Sequence, residues 1–453
     1  MADRQSPRPR HPGQPEADLR KAQRLGAEIR SHLIDDVMPF WSRYALLPDR
    51  SGFRTALARD GTPTSDSPPS VVAVARLTYS FALAAEMTGR EEYRSNALIG
   101  ARSLLRYYDL DLQMWRWLPP QANVRPDRLR RPYGSIFAVY ALAACGRITS
   151  TPEFVELAAN SFRLLCQKGR EQTLGGFFSE IALDWTPREL HHRLDTHLHA
   201  MEACSALLAA TGGAEWKKLL LELAMLVAGR AFDPVSGSVR EQFLPDWSED
   251  IGVTGGQVNY GRNAEAAWFL GQAARALEEP GLADVGRRIL VFILEEDRAR
   301  PRDPGFAQGG RKGQNDPGAG FLTLGQPRRS ANPALSSVGA FPSSGSEFAR
   351  LVEPRDGPSY IWWVQTQALA ALAHYYRRLP SPELLARLED LWGFIHAYFY
   401  DPEFGEWFTR VGLDGSIVDD RKGADWKVAY HTVQGCAYAA AALDGLHIPV
   451  SAL

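Results

Sequence analysis

The sequence predicts an all-α protein with the architecture of an (α/α)6 barrel, a closed ring of about twelve helices with short hairpin loops on one face. Three observations support this prediction. Apolar residues recur at helical spacing in twelve separate segments of the 453 residues. A short motif of aromatic and turn-forming residues returns between helix pairs. No segment carries the long β-branched run that a buried parallel sheet needs.

The twelve predicted helices extend over almost the whole chain. In each of them apolar residues stand three and four positions apart, which places those residues on one face of a helix. We expect the helices near residues 17–44, 69–88, 91–107, 134–146, 152–168, 196–212, 215–231, 261–277, 281–297, 360–378, 382–399 and 430–444.

A recurring loop motif separates the helix pairs. Its copies begin at Ser51, Asp111, Gly175, Asp233 and Asp401, and each combines turn-forming residues with aromatic ones. The first four copies recur about every sixty residues, which is typical of a structural repeat. Helix pairs that repeat with a loop on one face predict a closed or stacked α/α assembly.

We expect one domain over residues 17–453, preceded by a disordered tail at residues 1–16. The tail is polar and lacks the apolar core of a secretion signal. Residues 300–358 are rich in Gly, Pro, Ser and Arg and show little periodicity. So long an insertion in a compact domain is either disordered or a functional lid or partner-contact surface.

Charge and composition exclude several classes of partner. The net charge is −2, from 51 basic and 53 acidic side chains, so neither nucleic acid nor a membrane surface is expected as a partner. The four cysteines are widely spaced in apolar helical patterns, which is typical of buried thiols in a reducing cytoplasm. Neither a CxxC nor an HExxH spacing occurs, and we expect no metal and no cofactor.

Six stretches, in order along the chain, are Val72–Phe81, Tyr133–Leu142, Asp195–Ala203, Trp362–Ala368, Gly405–Trp407 and Trp426–His431. Together they resemble the motifs of the N-acylglucosamine 2-epimerase superfamily, which includes cellobiose 2-epimerases and mannose isomerases. The resemblance covers nearly the whole chain and implies an (α/α)6 barrel that acts on a sugar. In that superfamily two histidines face each other across the sugar and move a proton on and off the carbon next to its carbonyl.

The resemblance implies a set of site residues. His431 corresponds to one of the two histidines, and the remaining residues ring the substrate. We expect catalytic roles for His431, Arg262, Arg76, His199 and Glu265, and substrate binding by Trp363, Trp362, Trp426, Tyr133, Asp195, Gln367 and Tyr430.

The second histidine of the superfamily belongs to a G-H-x-x-E motif, and Arg262 stands at its position. An arginine stays protonated, so it cannot relay a proton, but it can hold an oxyanion or a carboxylate. Glu265 lies on the same helical face, and the alternative is that the two residues form an ion pair that lines the barrel. Four further departures surround this site: Asp195, Gln367, Thr432 and Gln434 stand where the superfamily usually has Asn, Glu, Asn and Arg.

These residues favour the removal of a proton next to a carbonyl by a single base, with the resulting oxyanion held by cations. His431 is the candidate base, and Arg76 and Arg262 are the candidate cations. Two-base epimerisation lacks its second acid here, whereas aldose–ketose isomerisation can proceed with one base.

The first functional hypothesis is therefore an epimerase- or isomerase-type enzyme that uses His431 as acid and base on a sugar. One alternative is a barrel repurposed in natural-product metabolism for dehydration, cyclisation or conjugate addition on a non-sugar carbonyl compound. A second alternative is an inactive barrel that binds a sugar or a protein partner. In the enzymatic readings the partner is a small carbonyl-bearing substrate, and the possibility of a homodimer stays open.

Overall fold

The computed structural model describes residues 15–120, 128–298, 324–325 and 359–445, and these residues form the (α/α)6 barrel that the sequence predicts. The inner helices are α3 (Val71–Thr88), α5 (Pro132–Thr149), α7 (Leu194–Thr211), α10 (Tyr260–Leu277), α12 (Trp362–Arg378) and α14 (Tyr430–Asp444). The outer helices are α1 (Glu16–His32), α2 (Met38–Tyr44), α4 (Glu91–Leu104), α6 (Pro152–Lys168), α8 (Ala214–Leu226), α11 (Pro280–Arg298) and α13 (Pro382–Phe394).

The inner helices close into a ring because each one packs against the next inner helix, and α14 packs against α3. They are apolar on nearly all sides, as a helix between a core and an outer layer must be. In α3 every residue from Val71 to Ala85 is buried. This helix is long and apolar enough to cross a membrane by length and composition alone, but 83% of it is buried inside the barrel.

The outer helices are amphipathic and bury one face against the ring. In α1 the buried residues include Ala22, Leu25, Gly26 and Ile29, at the spacing of a single helical face. Each inner helix from α3 to α12 packs on the outer helix that follows it, and α14 packs on α1. The first outer helix therefore completes the sixth pair with the last inner one.

All twelve predicted helices are present, and four of them end in features that periodicity does not reveal. Five-residue π-helical segments extend α1, α8 and α13 at Leu33–Val37, Val227–Ala231 and Ile395–Phe399, and a 3₁₀ turn at Leu105–Tyr107 extends α4. A four-residue helix, α9 (Ile251–Thr254), was not predicted.

Short antiparallel strands form the predicted hairpins and link neighbouring loops. The strands are β1 (Tyr108–Asp109), β2 (Met114–Trp115), β3 (Leu129–Arg130), β4 (Glu180–Ala182), β5 (Pro187–Glu189), β6 (His192–Arg193), β7 (Phe232–Asp233), β8 (Ser238–Val239), β9 (Gln242–Phe243), β10 (Val258–Asn259), β11 (Leu324–Gly325), β12 (Ser359–Ile361), β13 (Arg410–Gly412) and β14 (Ile417–Asp419). The sheets are β1-β2, β3-β4-β5, β6-β9, β7-β8, β10-β11 and β12-β13-β14.

The hairpins follow outer helices and precede inner ones, so they lie at the amino-terminal end of the ring of inner helices. Of the predicted insertion at 300–358, the structure describes Leu324 and Gly325, which pair with β10 directly before α10. The expectation of a lid otherwise falls outside the described residues, as does most of the expected tail at residues 1–16.

Two caps fix where inner helices begin. The side-chain oxygen of Ser70 accepts a hydrogen bond from the backbone N–H of Ala73 at the start of α3, at 3.2 Å. Asn259 does the same for Arg262 at the start of α10, at 3.1 Å. Such caps satisfy backbone donors that a helix start leaves unpaired. The second cap also sets the position of a predicted site residue.

Candidate active site

The predicted site residues converge at the amino-terminal ends of the inner helices. His431 lies in the first turn of α14, and Arg76, His199 and Glu265 lie in the second turns of α3, α7 and α10. Helix amino-termini carry a partial positive charge, so a ring of six of them favours an anion or a developing oxyanion. The fold thus brings together residues that are more than 350 positions apart in the sequence.

His431 is buried, with 5% of its surface exposed. Its Nδ1 atom lies 2.9 Å from the side-chain nitrogen of Gln367. The ring of Trp363 lies 5.6 Å from the imidazole between centroids. Burial lowers the pKa of His431 well below its usual value, and the nearby cations, Arg76 first among them, lower it further. The imidazole is therefore neutral at physiological pH.

His199 forms a dyad with a carboxylate. Its Nδ1 lies 2.6 Å from Oε2 of Glu202, and both side chains are buried. The hydroxyl group of Tyr430 donates to the same carboxylate at 2.7 Å, and the amide of Gln434 donates to it as well. Burial raises the pKa of Glu202 to about 8 and lowers the pKa of His199 well below its usual value.

Glu202 was not among the predicted site residues. Its signal in the sequence is the three-residue spacing from His199, which places both residues on one face of α7. Tyr430, predicted to contact substrate, donates its hydroxyl group to this carboxylate.

Arg76 contacts two of the predicted residues directly and lies near a third. Its guanidinium donates to the Tyr133 hydroxyl at 3.0 Å and to the backbone carbonyl of Trp426 at 3.1 Å. The cation lies 4.6 Å from the ring centroid of Phe137, which is also in contact with His199 at 4.5 Å. Arg76 and His199 are therefore neighbours across one aromatic ring.

Arg262 is held by carboxylates on three sides. It donates to Glu265 at 2.6 Å, and its other nitrogens lie 3.7 Å from Asp195 and 3.6 Å from Glu241. The ion pair that the sequence offered as an alternative is present. These carboxylates raise the pKa of Arg262 against the effect of burial, so its charge is permanent.

Asp195, predicted to bind substrate, takes part in this ionic cluster. Arg193 donates to it at 3.2 Å, and Arg262 lies beyond. Burial alone would raise the pKa of Asp195, but the two arginines hold it at about 2. The sequence did not indicate Glu241, because it reaches the site through the pairing of β6 with β9, a contact between distant loops. Arg193 was also missed, although it stands two residues before Asp195.

Several buried polar atoms at this end of the barrel have no hydrogen-bond partner among the described residues. They are Arg76 Nε, His199 Nε2, Glu265 Oε1 and Trp362 Nε1. Unpaired buried polar atoms are costly, and a ligand with hydroxyl and carbonyl groups would satisfy them. In the described part of the chain, no group of three or more His, Cys, Asp or Glu side chains is arranged to hold a metal ion.

The loop before α14 is fixed by a second buried carboxylate. Glu406 accepts hydrogen bonds from Trp41 at 2.6 Å, and from Lys427 and Thr432 at 3.1 Å each. Trp426, beside Lys427, lies in edge contact with Tyr133 at 6.1 Å. The stretch that carries His431 is thereby anchored to the outer helix α2 as well as to the ring.

The closed ring and the buried titratable residues at one end define the chain as an (α/α)6-barrel protein with a polar internal site. More particularly, the chain belongs to the N-acylglucosamine 2-epimerase family, whose model matches residues 52–295 and 348–435. The family resemblance seen in the sequence and the predicted fold are both confirmed.

Relatives and solved structures extend this assignment. The cellobiose 2-epimerase of Bacteroides fragilis is 23% identical over 427 residues, which cover 91% of this chain and 97% of that protein. The D-mannose isomerase of Marinomonas mediterranea is 21% identical over 408 residues, 89% of this chain and 94% of that protein. The solved cellobiose 2-epimerase of Spirochaeta thermophila has a TM-score of 0.75 at 24% identity, covering 95% of this chain and 99% of that one.

Proposed function

We propose that the chain is an isomerase-type enzyme that moves a proton next to the carbonyl of a sugar. The observation that carries the proposal is the pair of buried histidines, His431 and His199, beside Arg76. The hydrogen bond to Gln367 uses Nδ1 of His431 and leaves Nε2 for a substrate. Nε2 of His199 has no partner among the described residues. Two ring nitrogens and a fixed cation can together bind and deprotonate a hydroxycarbonyl compound.

A sugar is the substrate class that the relatives favour. The relatives named above are called cellobiose 2-epimerase and D-mannose isomerase. The unpaired donors and acceptors at the site also match a ligand rich in hydroxyl groups. Trp362 and Trp363 supply aromatic faces beside His431.

Within this class, aldose–ketose isomerisation fits the site better than two-base epimerisation. Epimerisation needs a second proton donor on the opposite face of the reacting carbon, and Arg262 occupies the position of that donor. The guanidinium of Arg262 is paired with Glu265 and stays protonated, so it cannot donate a proton to carbon. Isomerisation instead returns the proton to the neighbouring carbon from the same base.

No feature of the described residues favours dehydration or cyclisation of a non-sugar compound over this reaction. The alternative to test is a catalytically inactive barrel that only binds its ligand. It would keep the fold and bind a sugar, but it would exchange no carbon-bound proton.

The experiment is an incubation of mannose, glucose, fructose and cellobiose with the protein in D2O, followed by NMR of the carbon-bound protons. We expect loss of the proton next to the carbonyl and formation of the isomer. The variant His431→Gln should lose activity by about 10²–10⁴-fold with its fold intact. His396→Gln, at an exposed position in the π-helical segment after α13, is the matched control and should keep wild-type activity.

Two results would overturn the proposal. Binding of a sugar with neither exchange nor product would leave only the inactive barrel. Wild-type rates in His431→Gln would remove this histidine from the reaction.

A further inference from the structure

The orientation of the Gln367 amide is fixed by its partners. The indole N–H of Trp268 lies 2.7 Å from Oε1 of Gln367. An indole nitrogen is only a donor, so the amide must present its oxygen to Trp268. The amide nitrogen therefore faces Nδ1 of His431, at 2.9 Å. An amide NH2 group is only a donor as well.

This orientation determines where His431 carries its proton. Because the amide donates, Nδ1 of His431 must accept, and the single proton of the neutral ring lies on Nε2. A doubly protonated ring would direct an N–H at the amide N–H. The first turn of α14 and the cations Arg76 and Arg262 oppose a positive ring in the same place. His431 thus presents an N–H to the site, not a lone pair.

His199 is arranged in the opposite way. The carboxylate of Glu202 receives the Tyr430 hydroxyl and the Gln434 amide, both as donors. Above its pKa of about 8 Glu202 is ionised, and it then also accepts from Nδ1 of His199, 2.6 Å away. The proton of the neutral ring then lies on Nδ1, and Nε2 keeps its lone pair. That atom is buried and has no hydrogen-bond partner among the described residues.

From these contacts we infer that His199, oriented by Glu202, is the base of the reaction and that His431 is a neutral hydrogen-bond donor to the substrate oxygen. Gln367 and Trp268 are positioning residues, because they act through His431. This reverses the role that the sequence suggested for His431. The inference rests on the proposed function, since it assigns the parts that two histidines take in that reaction.

The step balances without any further reagent. Nε2 of His199 takes the proton from C2 of an open-chain aldose, and the C–H electron pair forms the enediolate. The N–H of His431 and the guanidinium of Arg76 hold the oxygen on which negative charge develops. His199 then gives its proton to C1, while the hydroxyl proton on O2 passes to O1. The product is the ketose, and His199 regains its lone pair.

The test reads the proton positions directly, without a substrate. In protein labelled with ¹⁵N-histidine, NMR distinguishes the two neutral forms of an imidazole, and His431→Gln and His199→Gln identify the two signals by their loss. We expect the proton of His431 on Nε2. We expect that of His199 on Nδ1 at a pH above the Glu202 pKa of about 8. A proton on Nδ1 of His431, or a His199 that carries its proton on Nε2 there, would overturn the inference.

Two variants connect the proton position to the rate. Gln367→Glu offers an acceptor to Nδ1, so the proton of His431 should move there and isomerisation should slow by about 10²–10³-fold. Trp268→Phe removes the donor that orients the amide, adds no charge, and should give a mixture of the two forms of His431. If the proton of His431 lies on Nδ1 in Gln367→Glu and the isomerisation rate is unchanged or faster, His431 is the base.

The outcomes for the two proposals are separable. A protein that is inactive on every sugar but carries both protons as expected would contradict the proposed function alone. An active isomerase with the opposite proton positions would contradict only this assignment of roles.

Discussion

At the level of single residues, two departures from the family pattern affect the same proton transfer. By the resemblance of the motifs, Arg262 stands where the family has a histidine, and its charge is neutralised by Glu265 and its neighbours. By the same resemblance Gln367 stands where the family has a glutamate, and it gives the His431 ring a donor where a glutamate would give it an acceptor. Either change alone would weaken a two-histidine proton relay. Together they leave one base and fixed donors, which is the requirement of isomerisation.

The pairing of these two changes predicts how epimerase activity would be restored. Arg262→His alone should produce no epimer, because the neutral His431 presents an N–H to the site and has no free lone pair with which to take part in proton transfer at carbon. Arg262→His with Gln367→Glu should epimerise glucose to mannose at a measurable rate, since both histidines then have carboxylate partners. Chromatographic separation of the sugars after incubation measures this. Epimer formation by the single variant would show that Gln367 does not set the role of His431.

At the level of the secondary-structure elements, close packing of α10 on α12 positions the Trp363 ring in the site. A side-chain Cβ atom at Gly261 in α10 would lie 2.5 Å from two ring atoms of Trp363 in α12. Only glycine allows this approach. The Trp363 ring in turn contacts both the guanidinium of Arg262, at 4.9 Å, and the ring of His431.

Gly261→Ala should therefore displace Trp363 while the barrel still forms. A misplacement of about 1 Å at a reacting group reduces kcat/KM by about 10²-fold, and we expect a loss of that size here. Gly281→Ala, at an exposed helical position with open space around it, is the control. It should keep its activity and gain up to about 1 kcal/mol of stability, because alanine favours a helix over glycine. Equal activity of both variants would argue against a positioning role for Gly261.

The elements were predictable from sequence to the extent that their signals are local. Helical periodicity located α3, α5 and α10 within a few residues, since the apolar pattern lies in the element itself. Glu241 was not predictable, because it reaches the site through the pairing of β6 with β9. The orientation of the Gln367 amide depends on Trp268, 99 residues away. Such contacts exist only once the ring has closed.

At the level of the whole molecule, closure of the ring brings the first and last described helices together. Arg30 of α1 donates to Asp444 of α14 at 2.9 Å. On the loop face, Arg59 donates to the buried carboxylate of Asp401 at 2.7 Å, and the buried Lys422 lies 3.1 Å from it. The first hairpin loop is thus joined to the last one, which carries the polypeptide into α14 and His431.

Removal of the Asp401 charge should therefore weaken the whole barrel. Asp401→Asn leaves Lys422 buried without its counter-charge, and breaking such a pair costs about 3–5 kcal/mol of unfolding free energy. Glu403→Gln is the matched control, because Glu403 pairs with the same Arg59 but is 62% exposed. It should change stability by at most about 0.5 kcal/mol. Urea-unfolding midpoints compare the two variants, and a similar midpoint for both would contradict the role of Asp401.

The pH dependence of the unfolding free energy tests the role of Asp401 independently. Burial alone would raise the pKa of Asp401, but hydrogen bonds from Arg59 and Lys422 hold it at about 2 instead of 3.8. A lowered folded-state pKa stabilises the protein above the unfolded-state value, and the contribution is lost as the pH falls from 3.8 toward about 2. The wild-type protein should therefore lose its advantage over Asp401→Asn within this interval. An advantage that persists unchanged at the acid end would show that the carboxylate does not stabilise the closed ring through its charge.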